Sequence, residues 1–197
     1  MNTGVTGQSI RQFSTTVSNS HHAMAGAVIA ASAAQAASLG YACMKISLAH
    51  GAQNVAQIAP QIKKMGVIQS DLLDLCDRDA TAIAEFVAHR DAGQVLKGQT
   101  LLCRMPADVC QLSINAAQEL EAFRGQVSEQ VRDDMEMAIS LLAAAARAAL
   151  LLLDSNLRIW PEPALLQKFE PELATLETQI EQLTPVQRIR RQSANDK

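Results

Sequence analysis

Aromatic side chains are scarce in this chain, which has one tryptophan, one tyrosine and four phenylalanines among its 197 residues. Strands in a β-sandwich are rich in aromatic and β-branched residues. The chain also lacks strand-like alternation and hairpin dipeptides, whereas small and aliphatic residues such as Ala and Leu are plentiful. These absences argue against an all-β fold and favour closely packed helices.

Excess positive charge is missing too, because the formal net charge is −3. A protein that binds nucleic acid through its phosphates normally presents a basic surface. The one basic cluster, Arg188, Arg190 and Arg191, lies in the C-terminal tail and is expected to be solvated. The composition therefore predicts no nucleic-acid partner.

Recognisable cofactor and metal motifs are also absent. The sequence has no phosphate-binding loop, no dinucleotide-binding fingerprint, no zinc-protease motif and no nucleophile elbow. Its four cysteines form no C-x-x-C pair and lie in apolar helical patterns, and no signal peptide precedes them. We therefore expect buried free thiols, a cytoplasmic location, no metal and no cofactor.

A long uncharged stretch raises the question of a membrane span. Residues Ala23–Met44 are long enough to cross a bilayer, but they consist mainly of Ala, Ser and Gly, with Gln35 near the centre. Such residues contribute little transfer free energy, and the flanks lack an aromatic belt. We expect a helix packed inside a soluble protein.

Apolar periodicity predicts an all-α, up-and-down bundle of about five to six helices. Pro60 is expected in the first turn of the third helix, Pro106 is expected to interrupt the fourth segment, and Ser128 is expected to cap the fifth helix. The predicted segments are Ser9–Val17, Ala25–Ala49, Pro60–Gly93, Gln94–Arg124, Ser128–Ile159 and Ala164–Leu183. The predicted divisions are an N-terminal helix and loop (1–24), a helical domain (25–183) and a polar tail (184–197).

Two of these helices have unusual composition. The stretch Met137–Leu153 is apolar on nearly every side, which predicts a helix buried all round, and Arg147 within it would need a buried carboxylate partner. The small-residue helix permits close approach by another helix. Both features favour a homodimer whose interface continues the core.

Charged and titratable residues supply candidate site groups. Asp79 lies on an apolar helix face, where an unpartnered carboxylate is costly, so it should have a partner or a ligand. Asp133 and Asp134 stand at the start of the most apolar helix, where they can serve catalysis or complement the helix dipole. The adjacent His21 and His22 can be a titrating pair or two solvated loop residues.

At these residues the chain resembles the methenyltetrahydrofolate cyclohydrolase/formimidoyltetrahydrofolate cyclodeaminase family over about 25–157. The helix "AGAVIAASAAQAASLGYACMKISLAHG" aligns with the family's glycine-rich helix without a gap. Asp79-Ala-Thr-Ala-Ile corresponds to the family's D-x-x-A-F. Further matches in register are Met105-Pro106, Asp133–Ala138, Arg147 and Asn156.

The resemblance implies a homodimeric helical bundle that binds a folate near the glycine-rich loop. Its reaction would be hydrolysis of 5,10-methenyltetrahydrofolate or loss of ammonia from 5-formiminotetrahydrofolate, and either needs a positioned proton donor and acceptor. We expect Asp134 and Asp79 to be the catalytic carboxylates. The substrate-binding candidates are Gly26, His22, Lys45, Arg147 and Asn156.

Two departures from the family pattern leave the activity open. The family's P-G-G-G is Ala25-Gly26-Ala27-Val28 here, and Val28 is expected to block the close approach that glycine permits. The family's basic G-K-K-K-Y is Gly51–Val55, "GAQNV". One hypothesis is a cytosolic enzyme acting on a folate or another cyclic iminium or amine substrate. The alternative is a relative that has lost catalysis and serves as a dimeric binding or scaffold protein.

Overall fold

Helices form all the regular structure in the part of the chain that the computed structural model describes, residues 4–50, 55–95 and 97–192. This confirms the predicted all-α fold. A 3₁₀ turn (Val5–Gly7) precedes the helices, and two more (Arg124–Gln126, Glu129–Val131) join α4 to α5. The helices are α1 (Ile10–Asn19), α2 (Ala25–Ala49), α3 (Val55–Asp91), α4 (Gln99–Phe123), α5 (Arg132–Ile159), α6 (Pro163–Glu181) and α7 (Ile189–Gln192).

The long helices α2 to α5 form an up-and-down bundle, and α6 packs on α4 and α5. The small residues of α2 lie at its centre: Ala27, Ala30, Ala33 and Ala37 are fully buried. Because alanine and glycine keep neighbouring helices close, α2 contacts α3, α4 and α5. The four cysteines are buried free thiols, as predicted.

The N-terminal segment is attached to the outside of α3. Ser9 and Gln12 form a reciprocal capping box at the start of α1. Thr6 donates hydrogen bonds from its backbone N–H and its hydroxyl to the carboxylate of Asp77, at 2.8 and 2.6 Å. This segment therefore lies over α3 without a buried residue of its own.

The C-terminal segment after α6 is fastened to the opposite end of the bundle. Arg124 donates two hydrogen bonds to the buried Glu136, at 2.8 and 2.9 Å, and a third to the Thr184 carbonyl at 2.7 Å. The Thr184 N–H donates in turn to Glu121 at 2.6 Å. These paired charges fix the end of the helical domain against α4 and α5.

Three expectations about helix ends were wrong. Helix α3 begins at Val55, so Pro60 lies inside it, and Pro106 lies inside an unbroken α4. Ser128 makes no capping hydrogen bond, and its backbone N–H donates to the Ser47 hydroxyl at 2.9 Å. At the buried Pro106, tertiary contacts that the local pattern does not reveal outweigh the helix-breaking tendency of proline.

The expectation that α5 is buried all round was also wrong. Met137, Leu141 and Leu151 are 49%, 55% and 70% exposed, so one side of the helix faces outward. The segments Ala25–Ala49 and Glu129–Ile159 are long and apolar enough to cross a membrane by length and composition. Half of each apolar window is buried among other helices.

Two glycines inside helices provide a matched test of this close packing. A Cβ atom added to Gly40 would lie 2.5 Å from Leu120 Cδ1 of α4, whereas one added to Gly66 would meet only Tyr41, at 3.7 Å. We expect Gly40→Ala to lower the free energy of unfolding by about 1–3 kcal/mol through overpacking. Gly66→Ala should raise it by up to about 1 kcal/mol through helix propensity. Urea unfolding followed by circular dichroism measures both, and equal effects would contradict the packing argument.

Candidate functional site

A small crevice at one end of the bundle contains a buried carboxylate. We call it the Asp79 crevice, and α2, α3, α4 and α5 all contribute to it. It is lined by Gly26, Ile29, Asp79, Met105, Pro106, Val109, Ala149 and Leu152. Its empty volume is about 180 Å³, and none of that space is wide enough for a water molecule. Three motifs of the predicted site, Gly26, Asp79 and Met105-Pro106, therefore come together.

Asp79 is 7% exposed and caps a helix other than its own. Met24, at the N-cap of α2, offers no side-chain hydrogen bond, and the Asp79 carboxyl accepts one from the backbone N–H of Ala27 in the first turn. Burial raises the pKa of Asp79 to about 6, and the Ala27 hydrogen bond opposes that rise. A carboxyl with such a pKa exchanges protons near neutral pH, as general acid–base catalysis requires.

Gly26 is the residue that lets Asp79 reach the end of α2. A Cβ atom at this position would lie 2.1 Å from Asp79 Oδ1 and 2.4 Å from its Cγ. Any side chain here would push the carboxyl away from the Ala27 N–H. The sequence-predicted importance of Gly26 therefore has a geometric reason in this structure.

Cys76 lies one turn before Asp79 and faces the same helix end. Its thiol donates a hydrogen bond to the Ala27 carbonyl at 3.2 Å. Burial raises the pKa of Cys76 to about 12, and the charges of Asp77 and Asp79 add to the rise. The thiol therefore stays protonated and is unsuited to be a nucleophile.

Asn156 compensates for the proline inside α4. Pro106 has no N–H to donate to the carbonyl of Leu102, four residues earlier. The side-chain amide of Asn156 donates to that carbonyl at 2.8 Å. The hydrogen bond that the Asn156 amide donates therefore supports the backbone of α4, and the assignment of Asn156 as a substrate-binding residue stays a prediction.

Asp134 lies far from Asp79. It is exposed at the start of α5 and lies near Cys43, whose pKa is raised by burial and, to a smaller extent, by the charge of Asp134. Cys43 and Ala27 are 16 residues apart on α2, a rise of about 24 Å. Within one chain, the two predicted catalytic carboxylates therefore do not share a site.

Arg147 is exposed, so the expected buried ion pair with Asp79 or Asp134 is absent. It borders an open groove of about 450 Å³ between α5 and α6, together with Asp154, Glu177 and Glu181. Among the residues that the structure describes, no carboxylate forms an ion pair with it. Arg147 makes no buried ion pair because it lies on the side of α5 that faces away from the centre of the bundle.

His22 and Lys45 lie outside the Asp79 crevice. His22 borders an open cleft of about 610 Å³ between the N-terminal segment and α3, and this cleft ends at Met24, two residues before Gly26. Lys45 is exposed near the other end of α2, with its ammonium 5.3 Å from the centre of the Tyr41 ring. Their assignment as substrate-binding residues stays a prediction.

Two further expectations concern the departures from the family pattern. Val28 is 37% exposed and points away from the crevice, so it does not block the approach to the end of α2. Ile29 lines the crevice instead. The altered loop Gly51–Asn54 lies outside the described residues.

The apolar lining of the crevice was missed by sequence reasoning. Ile29, Val109, Ala149 and Leu152 come from three helices, and each is an ordinary apolar residue within a helical pattern. No local signal distinguishes them from other core residues. Within the described ranges, no group of three or more His, Cys, Asp or Glu side chains is arranged to hold a metal ion.

Comparison with known proteins gives a consistent result. The family profile described as formiminotransferase-cyclodeaminase matches residues 9–175. The structure of a formiminotetrahydrofolate cyclodeaminase from Thermotoga maritima is similar in fold, with a TM-score of 0.79 and 21% sequence identity. That match covers 90% of this chain and 92% of the other. No curated protein sequence matches the chain.

The raised pKa of Asp79 gives a stability test. Its pKa is 3.8 in a model compound and about 6 in the folded chain, so folding favours the protonated carboxyl. As pH rises from below 3.8 to above 6, the wild type should lose about 3 kcal/mol of unfolding free energy relative to Asp79→Asn, about 2 kcal/mol of it between pH 4.5 and 7.5. Urea unfolding at pH 4.5, 6 and 7.5 measures this difference. The exposed control Asp74→Asn should show no such trend, and a flat Asp79→Asn difference would refute the assignment.

The Pro106–Asn156 relation gives a double-mutant test. Asn156→Ala should cost about 1–3 kcal/mol, because it leaves the Leu102 carbonyl without a donor. In the Pro106→Ala background the restored N–H can bond to that carbonyl, so the same change should cost less by about 1 kcal/mol. Denaturant unfolding of the four proteins gives the coupling. Additive costs would show that Asn156 acts elsewhere.

Proposed function

Since the chain belongs to the formiminotransferase-cyclodeaminase family, we propose that it is an enzyme with a folate-related reaction at the Asp79 crevice. Membership confirms the resemblance predicted from the sequence. The substrate would be 5,10-methenyltetrahydrofolate, 5-formiminotetrahydrofolate or another cyclic iminium or amine compound. The reaction class would be hydrolase or lyase.

The observation that carries this proposal is the buried Asp79 at the end of α2. Its pKa of about 6 allows it to hold a proton for one step and to accept one in the next. The positive end of the α2 dipole stabilises the ionised form without an ion pair. The carboxyl is thus poised for proton transfer to a substrate nitrogen or from a bound water.

The chemistry needs little beyond such a group. In methenyltetrahydrofolate hydrolysis, water adds to the carbon between the two ring nitrogens and one C–N bond then breaks. A base removes a proton from the water, and an acid returns one to the departing nitrogen. In cyclodeamination, the second folate nitrogen attacks the formimino carbon and gives its proton to the base, and the C–N bond to ammonia then breaks as the acid protonates the departing nitrogen. Asp79 can serve as base and as acid in turn.

The small size of the crevice favours the alternative in which the chain has lost catalysis. Ligands of drug size occupy pockets of about 300–1,000 Å³, whereas the Asp79 crevice has no space that is wide enough for a water molecule. A pterin would enter only if the residues that line the crevice moved apart. If they do not move, the chain is a catalytically lapsed relative that acts as a binding or scaffold protein.

The proposed setting is cytoplasmic and homodimeric, with no nucleic acid or membrane as partner. The buried free thiols support a cytoplasmic setting, and the net charge of −3 argues against a nucleic-acid partner. The exposed apolar residues of α5 support a homodimer.

Turnover of 5,10-methenyltetrahydrofolate tests the proposal. Wild-type protein should accelerate the loss of its near-ultraviolet absorbance, and Asp79→Asn should reduce the rate by about 10²–10⁴-fold. Asp74→Asn, an exposed change one turn earlier on α3, should keep the wild-type rate. Asp134→Asn reports whether the second carboxylate takes part.

A second measurement separates the alternatives. Trp160 is the one tryptophan of the chain, and it packs edge-to-face on Phe86 with the ring centres 5.2 Å apart. Phe86 lies on α3, seven residues after Asp79. Trp160 fluorescence reports ligand binding near this end of the bundle. Folate binding without turnover of either folate would indicate the binding or scaffold protein. If the protein neither binds a folate nor turns one over, a folate function is refuted.

A further inference from the structure

Two residues mark the place where the Asp79 crevice meets the surface. Of the eight residues that line it, six are buried, and Ile29 of α2 and Leu152 of α5 are half-buried. Because these two lie on neighbouring helices and border the same space, the crevice opens between them. We call Ile29 and Leu152 the mouth pair.

The mouth pair closes the crevice in this structure. No space inside the crevice is wide enough for a water molecule, and Asp79 is 7% exposed. Both side chains of the pair are aliphatic, so neither can donate a hydrogen bond to a carboxyl or hold water beside it. Burial is the largest cause of the raised pKa of Asp79. The mouth pair forms the outermost part of the apolar surroundings that bury this carboxyl.

The residues that precede the mouth pair on each helix point outward. Val28 is 37% exposed and Leu151 is 70% exposed, and neither lines the crevice. Consecutive residues of a helix differ in direction by about 100°, so α2 and α5 each turn one large aliphatic side chain into the mouth and the one before it away. Val28 and Leu151 are therefore matched controls for Ile29 and Leu152.

The two members of the pair differ in how freely they turn. Isoleucine is branched at Cβ and keeps one χ1 rotamer in a helix. Leucine in a helix has two common χ1 rotamers. Leu152 can therefore turn outward without movement of the backbone, whereas Ile29 stays in place.

The deeper lining limits what the crevice can hold. The residues that α2, α4 and α5 contribute, such as Gly26, Met105 and Ala149, carry no titratable group. On α3, Cys76 faces the same helix end with a protonated thiol. A ligand would meet one carboxyl and apolar walls, which suits a ring with one reacting nitrogen. Charged parts of a ligand would find no partner inside.

We propose that Ile29 and Leu152 are specificity-determining residues, an apolar gate that admits the ring bearing the reacting nitrogen of a cyclic amine or iminium substrate and keeps its charged parts outside. Leu152 is the side that turns outward, and Ile29 fixes the width of the opening. The substrate class rests on the function proposed above. The closure of the crevice does not, because it depends on the packing of two side chains alone.

Titration of the Asp79 carboxyl carbon by NMR tests the gate without a substrate. Ile29→Ala and Leu152→Ala should each lower the pKa of Asp79 by about one unit, because water then reaches a carboxyl whose pKa is raised by burial. Val28→Ala and Leu151→Ala remove similar apolar groups from the adjacent positions and should leave this pKa unchanged.

A smaller change keeps the test valid if truncation to alanine prevents folding. Ile29→Val removes one methyl group and keeps the branch at Cβ, so it should fold and lower the pKa of Asp79 in the same direction by less than Ile29→Ala.

Turnover of 5,10-methenyltetrahydrofolate tests the role in specificity. Ile29→Ala should lower the KM at least about tenfold, since the ring no longer has to pass a fixed side chain. Leu152→Ile keeps the side-chain volume but holds one rotamer. It should lower kcat/KM at least about threefold and leave the pKa of Asp79 unchanged.

The results separate the gate from the proposed function. The gate is overturned if Ile29→Ala and Leu152→Ala leave the pKa of Asp79 unchanged, or if Val28→Ala and Leu151→Ala lower it as much. An unchanged KM in an active Ile29→Ala protein would overturn the role in specificity. A lowered pKa without turnover in the wild type or any variant would establish the gate and refute both the folate function and the specificity assigned with it.

Discussion

The contact between Asp79 and the first turn of α2 is the constraint on which this end of the molecule depends. The Asp79 carboxyl lies in an apolar interior, where burying its ionised form is costly. The hydrogen bond from the N–H of Ala27 offsets part of that cost. The contact exists because residue 26 has no side chain. It fixes the start of α2 against α3 and closes the crevice, and the burial that results raises the pKa of Asp79 into the range where proton transfer is useful.

Pro106 shows how tertiary structure accommodates a local conflict. Pro106 removes a hydrogen bond from the middle of α4, and Asn156 supplies the missing donor from α5. Pro106 and Asn156 both match the family pattern, and in this structure they are linked because the Asn156 amide bonds to the carbonyl that Pro106 leaves without a donor. This hydrogen bond helps to position Met105 and Pro106, which form part of the crevice wall.

Much of the fold was predictable from periodicity and composition. The helices from α1 to α6 and the break at Trp160–Pro163 follow from apolar spacing and proline. Two failures have a common cause: the effect of Pro106 and the burial of Arg147 depend on neighbours from other helices. Gly26 and Asp79 were found in the sequence, whereas the apolar lining of their crevice resembles any other core and was not.

The sequence by itself determined that the chain is helical, which faces are apolar, and that a glycine and a buried aspartate mark its candidate site. The first two follow from local spacing, which directly sets the faces of a helix, whereas Gly26 was marked by the resemblance to a known family. Only the tertiary structure decided which charges share a site. It put Asp79 against Gly26, left Asp134 about 24 Å away along α2, and turned Arg147 outward. The distance between residues on different helices depends on the order and register in which the helices pack. Neither can be deduced from the spacing of residues along the sequence.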